Sequence, residues 1–251
     1  MLVLGWHGGV RVGEADDQAV GYSTHDGAAV LVRDGEIIAA IEEERLSRVK
    51  HSNFFPARSI RFCLDHAGVT MSDIDLIAFD AQESVVDEFA AFCALVSPEE
   101  PLISGREMIA RVFEREFGLD LRSKLHFCKH HLAHIYSAIY ASGQECGLAV
   151  ALDGEGDQRS GMVATFSGGA IVPVVEYSPA QSLGAFYTSS IALLGYRRFD
   201  EYKVMGLAPY GDAERYRALF DRFYTLLPDG QFEIVPDGTK LSLIAQQGLL
   251  P

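Results

Sequence analysis

Hydrophobic and polar positions at the start of the chain alternate between short apolar runs and polar breaks, which predicts strands joined by turns. The apolar runs are residues 2–4, 28–32 and 36–41, and Arg33-Asp34-Gly35 separates the last two. Asp-Gly between two apolar runs is typical of a tight β-hairpin. We therefore expect three antiparallel strands, with a polar, glycine-rich excursion over residues 7–21 after the first.

Amphipathic stretches at helical spacing then alternate with single apolar runs, which predicts helices and strands in turn. The predicted helices cover residues 56–67, 84–95, 103–117 and 129–141, and the predicted strands cover residues 75–79 and 124–128. Gly68 and Gly118 directly follow two of these helices. Glycine is the usual residue in the left-handed position that ends a helix.

The opening pattern returns at residue 148. The sequence predicts a buried strand over residues 148–152 and a helix over residues 182–194. Between them it predicts a hairpin of residues 161–166 and 170–177, with its turn at Ser167-Gly168-Gly169. The order strand–strand–strand–helix therefore occurs twice, which indicates a duplicated architecture. Two such α/β lobes, each with a three-stranded antiparallel part, are the plan of the actin-like ATPases and sugar kinases, the ASKHA fold.

We expect a first lobe over residues 1–146 and a second over residues 147–251, with ligands in the cleft between them. Weaker patterns follow Tyr196: a stretch without a period, a short helix, a turn with a strand, and one more apolar element. These cover residues 197–212, 214–227, 229–235 and 241–250. They are too few to complete a second lobe, so the sequence indicates a truncated polypeptide.

Composition narrows the class of protein. The 251 residues are 48% hydrophobic and 22% charged, as in an ordinary globular protein. A net charge of −14 disfavours a surface for nucleic acid or for an anionic membrane. No apolar run approaches the length of about 18 residues that spans a bilayer, and no signal peptide is recognisable. We expect a cytoplasmic protein that binds neither nucleic acid nor membrane; a homodimer stays open.

Four cysteines occur, and none of them forms a CxxC pair. They are Cys63, Cys93, Cys128 and Cys146. Their spacing fits neither a zinc site nor a disulfide framework, so we expect buried free thiols in a reducing cytosol.

Candidate chemistry concentrates where KHHLAH precedes the apolar run that ends in LDGEGD. His130 and His134 stand four residues apart, so on a helix their Cβ atoms lie about 5–6 Å apart on one face. Two imidazoles in this arrangement can hold one metal ion, and Asp153 at the mouth of the strand can supply a harder third ligand. The alternatives are a solvated or capping histidine pair and a plain hairpin turn.

Two glycines and a second aspartate follow that candidate ligand. Glycine lacks a Cβ, so the backbone at Gly154 and Gly156 can turn tightly and approach a ligand closely. Together with Asp157, these residues are candidates for binding a cofactor next to the metal ligands.

Five segments carry a family resemblance: STHDGAAVLVRDGEIIAAIEEERLSRVKHSNFFP, KHHLAHIYSAIY, LDGEGDQRSG, SLGAFYTSSIALLGY and DEYKVMGLAPYG. Together, over roughly residues 1–215, they resemble the NodU/CmcH-type O-carbamoyltransferases, the TobZ-like family. The resemblance implies a Kae1-like, actin-like amino-terminal domain. In whole members a YrdC-like domain of the same polypeptide makes carbamoyl-adenylate from carbamoyl phosphate and ATP. The Kae1-like domain then passes the carbamoyl group to a hydroxyl of a small-molecule acceptor.

The resemblance also implies a metal centre. His130, His134 and Asp153 match the family's metal ligands, and the ion there is described as iron. Fe(II) or another divalent transition metal is therefore expected, since nitrogen and oxygen ligands also suit zinc and manganese. The 251 residues contain neither the YrdC-like half nor the late aspartate that completes the family's site. We therefore expect this chain alone to be a poor transferase.

His25 and Asp26 open the first hairpin on the cleft side. Imidazole is the commonest general base near neutral pH, so His25 is a candidate base for the acceptor hydroxyl. The alternative is a turn histidine that is simply hydrogen bonded to Asp26.

Basic groups elsewhere are candidates for binding the adenylate. Arg45 and Lys50 follow the third strand, where they could hold phosphate or carbamoyl oxygens. Lys203 and the Gly206 amide could meet the adenylate phosphate. Surface ion pairs and a packing glycine are the alternatives. Two other functions stay open: an actin-like kinase or threonylcarbamoyl-type transferase, and a non-catalytic nucleotide-binding module.

Overall fold

The computed structural model of the chain describes residues 1–10, 24–97 and 101–234. Most of the predicted polar excursion over residues 7–21, residue 235 and the predicted element at 241–250 lie outside the described residues. The chain divides into two compact units, Met1–His130 and His131–Pro251.

A five-stranded mixed sheet forms the centre of the first unit, in the order β3-β2-β1-β4-β5. Its strands are β1 (Leu2–His7), β2 (Ala28–Arg33), β3 (Glu36–Glu42), β4 (Leu76–Phe79) and β5 (Leu125–Phe127). The first three strands are antiparallel, as predicted, while β4 runs parallel to β1 and β5 parallel to β4. Asp34 and Gly35 both have positive φ and form the predicted two-residue hairpin turn.

Among the described residues of this unit, four α-helices accompany the sheet: α1 (Glu43–Ser47), α2 (Ala57–Ala67), α3 (Glu83–Val96) and α4 (Gly105–Phe117). The last three match the sequence prediction closely. Gly68 and Gly118 adopt the left-handed conformation that ends α2 and α4, so both predicted caps are confirmed. α1 has no counterpart in the prediction, because five residues are too few to show a helical period.

An aromatic cluster joins β1 to its parallel neighbour. Trp6 is 4% exposed, and its ring stacks on Phe79 with centroids 4.4 Å apart. Phe55 and Phe113 meet the same indole edge-on at 5.1 and 5.7 Å. Buried aromatic pairs contribute beyond the area they bury, so this cluster holds β1, β4, α4 and the segment before α2 together.

The four cysteines are free thiols, but only Cys63 is buried as predicted. Burial raises the pKa of Cys63 to about 11, so this thiol stays protonated. Cys93 and Cys128 are half-buried and Cys146 is exposed. The prediction of burial is therefore wrong for Cys146.

A second, antiparallel sheet follows helix α5 (His130–Ser142). Its strands are β6 (Cys146–Gly156), β7 (Arg159–Ser167) and β8 (Ala170–Tyr177). The predicted hairpin between β7 and β8 is confirmed, since Gly168 and Gly169 both have positive φ. The body of α5 packs on this sheet, with Ile135 against the strand residues of the core. The division after His130, rather than at the predicted position 146/147, reflects that packing.

The covered face of β6 carries small residues and its other face carries large ones. Ala149 and Ala151 are each 7% exposed and pack under α5. Leu148, Val150 and Leu152 are 63%, 53% and 50% exposed. The prediction that residues 148–152 form a buried strand is therefore right about the strand and wrong about which side chains are covered.

The other helices and strands described between residues 178 and 234 are short: α6 (Leu183–Ala192), α7 (Glu201–Leu207), α8 (Ala213–Phe220), β9 (Tyr224–Leu226) and β10 (Phe232–Ile234). α7 falls in the stretch where the sequence shows no period. The helix predicted over residues 214–227 ends earlier, because residues 224–226 pair with residues 232–234 as antiparallel strands.

The strand order identifies the fold class. The order 3-2-1-4-5 with three antiparallel strands first, followed by a second antiparallel trio and a helix, is the duplicated Kae1-like, actin-like plan that the sequence predicts. A parallel strand is expected in the second sheet as well, but between residues 131 and 234 the structure shows none. No helix in the described ranges is long and apolar enough to cross a bilayer.

Gly184, near the start of α6, lies against the backbone of β6, and substitution of this glycine tests that contact. A Cβ at Gly184 would lie 2.6 Å from the Gly154 nitrogen and 2.9 Å from the Asp153 carbonyl carbon. We expect Gly184→Ala to lower the free energy of unfolding by about 1–3 kcal/mol. The added methyl group would overlap the backbone of β6, so either α6 or β6 would have to move. Urea unfolding measures this change.

Gly211→Ala is the matched control for that substitution. Gly211 has extended backbone with φ −94 and ψ 173, and a Cβ there meets its nearest neighbour at an ordinary 3.5 Å. Equal effects of the two alanines would contradict the close approach of α6 to β6.

Candidate active site and metal centre

Polar residues of the first unit gather at one end of the five-stranded sheet. His7 is the last residue of β1 and Asp80 follows β4 directly, and the two strands are parallel and in register. β2 is antiparallel and begins opposite His7, so residues 25 and 26 reach the same end. His130 comes shortly after β5, which is parallel to β4. Open α/β sheets bind ligands outside the carboxyl ends of such strands.

His7 and Asp80 form a close ion pair. Nδ1 of His7 lies 3.0 Å from each carboxylate oxygen of Asp80, and Nε2 lies 2.8 Å from the carbonyl oxygen of His25. Both ring nitrogens therefore face acceptors, which suits the imidazolium form. Burial alone would lower the pKa of His7, but the hydrogen bond to Asp80, the charge of Asp80 and the hydrogen bond to the His25 carbonyl together outweigh burial, and the pKa is raised.

Asp80 also faces His130. Nδ1 of His130 lies 3.2 Å from the carbonyl oxygen of Asp80 and 3.4 Å from its carboxylate. Burial would raise the pKa of Asp80, but the hydrogen bonds from His130 and His7 hold it well below its usual range. With Nδ1–H of His130 directed at Asp80, Nε2 is the nitrogen that would bind a metal.

Helix α5 and strand β6 bring the three candidate metal ligands together. Ligand atoms of His130, His134 and Asp153 all lie within 4.8 Å of one another. Nε2 of His134 is 3.6 Å from Oδ2 of Asp153, within the span of about 4.4 Å that two donors reach around one ion with bonds of about 2.2 Å. Two imidazoles and a carboxylate fit a divalent transition metal by donor type.

Local backbone features position Asp153. The pairing of β6 with β7 shifts between Leu152 and Gly156, so Asp153 lies in a bulge, a feature that re-aims side chains beside active sites. The Gly154 amide donates to Oδ1 of Asp153 at 2.5 Å. The buried Ser182 hydroxyl lies 3.2 Å from the Asp153 carbonyl and 2.6 Å from that of Gly154, which ties the bulge to the start of α6.

The candidate base has a carboxylate partner. Nδ1 of His25 lies 2.7 Å from Oδ2 of Asp26, and Nδ1 of His51 lies 2.8 Å from Oδ1. Burial would raise the pKa of Asp26, but these two hydrogen bonds outweigh it and the pKa is lowered. Asp26 and His51 both have left-handed backbone, with φ 57 and φ 54, a conformation that costs energy outside glycine.

Tight backbone packing supports this part of the site. A Cβ at Gly9 would lie 1.7 Å from the Asn53 carbonyl oxygen, so only glycine fits between β1 and the segment before α2. The buried Glu43 amide donates to the Gly27 carbonyl at 2.7 Å, and its carboxylate accepts from the Ser59 amide at 2.8 Å. Glu43 therefore joins the backbone next to Asp26 to the start of α2.

The other candidate binding residues have local partners. Arg45 on α1 pairs with Glu42 at 3.1 Å, and Lys203 on α7 pairs with Asp200 at 2.5 Å, a hydrogen bond that raises the pKa of Lys203. These are the surface ion pairs that the sequence leaves as an alternative. Lys50 is exposed and precedes His51, which contacts Asp26. A Cβ at Gly206 would meet nothing within 4 Å.

The predicted glycine-rich turn lies slightly later than the sequence suggests. Gly154 lies in the bulge of β6, and Gly156 is the last residue of that strand. Asp157 and Gln158 both have positive φ and form the turn to β7. Asp157 is thus in the tight turn, and the two glycines precede it.

The sequence prediction misses His7 and Asp80 as site residues. Each is the first polar residue after an apolar strand, following LVLGW and LIAF respectively. That position is a usable signal, because strand ends carry functional groups in α/β folds. Their mutual contact depends on the pairing of β1 with β4, which the sequence alone does not specify.

Comparisons with known proteins agree on one family. The family described as Carbamoyltransferase N-terminus matches residues 18–244. The nodulation protein NolNO of Sinorhizobium fredii is 45% identical over 247 residues, which cover 94% of this chain and 35% of that protein. An uncharacterised protein of Synechocystis is 30% identical over 228 residues, covering 84% of this chain and 37% of its own length.

The chain thus spans about a third of the length of these relatives. Among solved structures, YeaZ from Pseudomonas aeruginosa aligns with a TM-score of 0.38 and 15% identity, covering 72% of this chain and 68% of that one.

The two hydrogen bonds of Asp26, to His25 and His51, predict how stability depends on pH. A carboxyl group with a depressed folded pKa adds stability above its unfolded pKa of about 3.9, and that stability is lost as the pH falls through the folded pKa. Asn tolerates left-handed backbone well, so Asp26→Asn removes the charge and keeps the turn. We expect the unsubstituted protein to lose stability more steeply than this variant below about pH 5.

Urea unfolding at a series of pH values measures the difference. Asp229→Asn is the matched control, because Asp229 also has left-handed backbone, with φ 58. If Asp26→Asn and Asp229→Asn change the pH dependence equally, the two histidines do not stabilise the Asp26 carboxylate.

Proposed function

The chain belongs to the carbamoyltransferase family, whose amino-terminal region it matches, and we propose that it carries the transfer step of an O-carbamoyltransferase. In this proposal carbamoyl-adenylate is the donor and a hydroxyl of a small molecule is the acceptor. A YrdC-like domain of the same polypeptide makes the donor from carbamoyl phosphate and ATP. The observation that carries the proposal is the His25–Asp26 pair at the carboxyl end of the central sheet.

The His25–Asp26 contact has the geometry of a general base with its orienting carboxylate. Nδ1 of His25 donates to Asp26 at 2.7 Å, which directs Nε2 away from the carboxylate as the basic nitrogen. The His25 side chain is 42% exposed, so a substrate hydroxyl has access to it. Nε2 takes the hydroxyl proton as the hydroxyl oxygen bonds to the carbamoyl carbon, and the bond from that carbon to the adenylate oxygen breaks, releasing AMP.

His130, His134 and Asp153 would hold the metal in this proposal. A divalent transition metal bound there would supply a Lewis acid for a carbonyl or phosphoryl oxygen. Asp153 is fixed for this role by the Gly154 amide and by Ser182. His134 is 51% exposed, so this candidate ligand is accessible from solvent.

The basic residues would bind the anionic part of the donor. Lys50 lies next to His51, whose ring bonds to Asp26, so its ammonium can reach the surroundings of the candidate base. Arg45 and Lys203 would have to exchange their carboxylate partners, Glu42 and Asp200, for phosphate oxygens. Exposed pairs of this kind are worth little, so that exchange costs little free energy.

The central test is His25→Ala in the full-length polypeptide. We expect adenylate formation, followed as pyrophosphate release, to stay near its normal rate. Transfer to the acceptor hydroxyl should slow by about 10²–10⁴-fold, because a general base contributes about that much. His66→Ala, at an exposed histidine of α2, is the control. Unchanged transfer would remove His25 from the mechanism, and equal loss of both steps would indicate a folding defect.

The metal assignment has its own test. We expect elemental analysis of the full-length protein to find about one transition-metal ion per chain. His130→Ala should lose the ion, since one of the three ligands is removed. His126→Ala, at an exposed histidine of β5, should keep the metal and controls for adventitious binding. A metal content unaffected by His130→Ala would contradict the assignment.

A further inference from the structure

His7 and Asp80 have no role in the transfer step described above, although Nδ1 of His7 contacts both carboxylate oxygens of Asp80 at the sheet end. We infer that they are positioning residues that hold the ring of His130 in the orientation in which Nε2 binds the metal. This inference deepens the proposed function and rests on its metal centre. The observation behind it is that the Asp80 carboxylate lies between two imidazoles of the first unit, with Nδ1 of His7 at 3.0 Å and Nδ1 of His130 at 3.4 Å.

Asp80 fixes which nitrogen of His130 carries the proton. Nδ1 of His130 has the backbone oxygen of Asp80 at 3.2 Å and its carboxylate at 3.4 Å. A proton on Nδ1 satisfies both oxygens, so the lone pair is on Nε2. Histidines that bind metals usually donate their other N–H to a carboxylate or carbonyl, which orients the ring and raises its basicity. Asp80 offers both kinds of acceptor.

His7 in turn fixes Asp80. Its Nδ1 lies 3.0 Å from both carboxylate oxygens, so rotation of the carboxylate would weaken at least one contact. Its Nε2 is anchored 2.8 Å from the carbonyl oxygen of His25. His7 is therefore tied at both nitrogens, and one ring links the support of the metal ligand to the backbone of the candidate base.

The competing interpretation is that the pair only joins β1 to β4. Another carboxylate on these strands has that purely structural role and can serve as a control. Asp75 precedes β4, and its carboxylate accepts a hydrogen bond from the Leu2 amide at 2.7 Å. Asp75 and Asp80 thus join the same two strands at opposite ends, and only Asp80 contacts His130.

The experiment measures Co(II) binding to the full-length protein after metal removal by a chelator. Dissociation constants come from competition with a chromophoric chelator, and the visible absorption of bound Co(II) reports the coordination. We expect Asp80→Asn to raise the dissociation constant by about 10–100-fold, as loss of such outer partners does elsewhere, and to alter the Co(II) spectrum. Asp75→Asn should change neither quantity, even where it lowers stability.

Two substitutions at His7 separate its contacts. His7→Asn places an amide nitrogen near the position of Nδ1 and keeps the bond to Asp80, so Co(II) affinity should stay close to normal. His7→Gln places its amide nitrogen near the position of Nε2, keeps the bond to His25 and loses Asp80. We expect His7→Gln to weaken Co(II) binding in the same direction as Asp80→Asn.

The outcomes distinguish this inference from the proposed function. Co(II) binding by the unsubstituted protein with equal affinities for Asp80→Asn and Asp75→Asn would overturn the positioning role and leave the metal centre in place. Weaker binding by His7→Asn than by His7→Gln would also overturn it. Absence of Co(II) binding by the unsubstituted protein would overturn both the metal centre and the inference built on it.

Discussion

The parallel pairing of β1 with β4 is the constraint on which the first unit depends. Trp6 of β1 stacks on Phe79 of β4 at 4.4 Å, and this contact fixes the register of the two strands at their carboxyl ends. His7 and Asp80 directly follow the two stacked residues in their strands. The packing of Trp6 on Phe79 therefore also places the imidazole of His7 beside the carboxylate of Asp80. A slip of β1 by one residue would send His7 to the face of the sheet opposite Asp80.

Helix α5 provides a comparable constraint for the second unit. Ile135 packs closely on Ala149 and Ala151, and the short alanine side chains let the helix lie near β6. His134 on the helix and Asp153 in the strand bulge therefore come within 3.6 Å of each other. The same choice of side chains leaves the larger aliphatic residues of β6 on the other face of the sheet, where they are exposed.

The sequence by itself determined most of the local structure. Asp34-Gly35 and Gly168-Gly169 specify two hairpin turns, since these residues adopt positive φ at little cost. Helical spacing and terminal glycines specify α2 and α4. Histidines four apart on a helix face are also a local feature, so His130 and His134 could be found as a pair without a structure. Short elements such as α1 and α7 left no period to detect.

Only the tertiary structure decided which residues meet across the chain. Nothing within the sequence near His7 indicates Asp80, because their contact comes from strand order, and strand order depends on packing of the whole sheet. The bulge that aims Asp153 and the close approach of Gly184 likewise arise from β6 meeting β7 and α6. Neighbouring residues are enough to indicate which side chains can carry chemistry. The contacts that orient those side chains come from long-range pairing of strands and helices, which leaves no short-range pattern in the sequence.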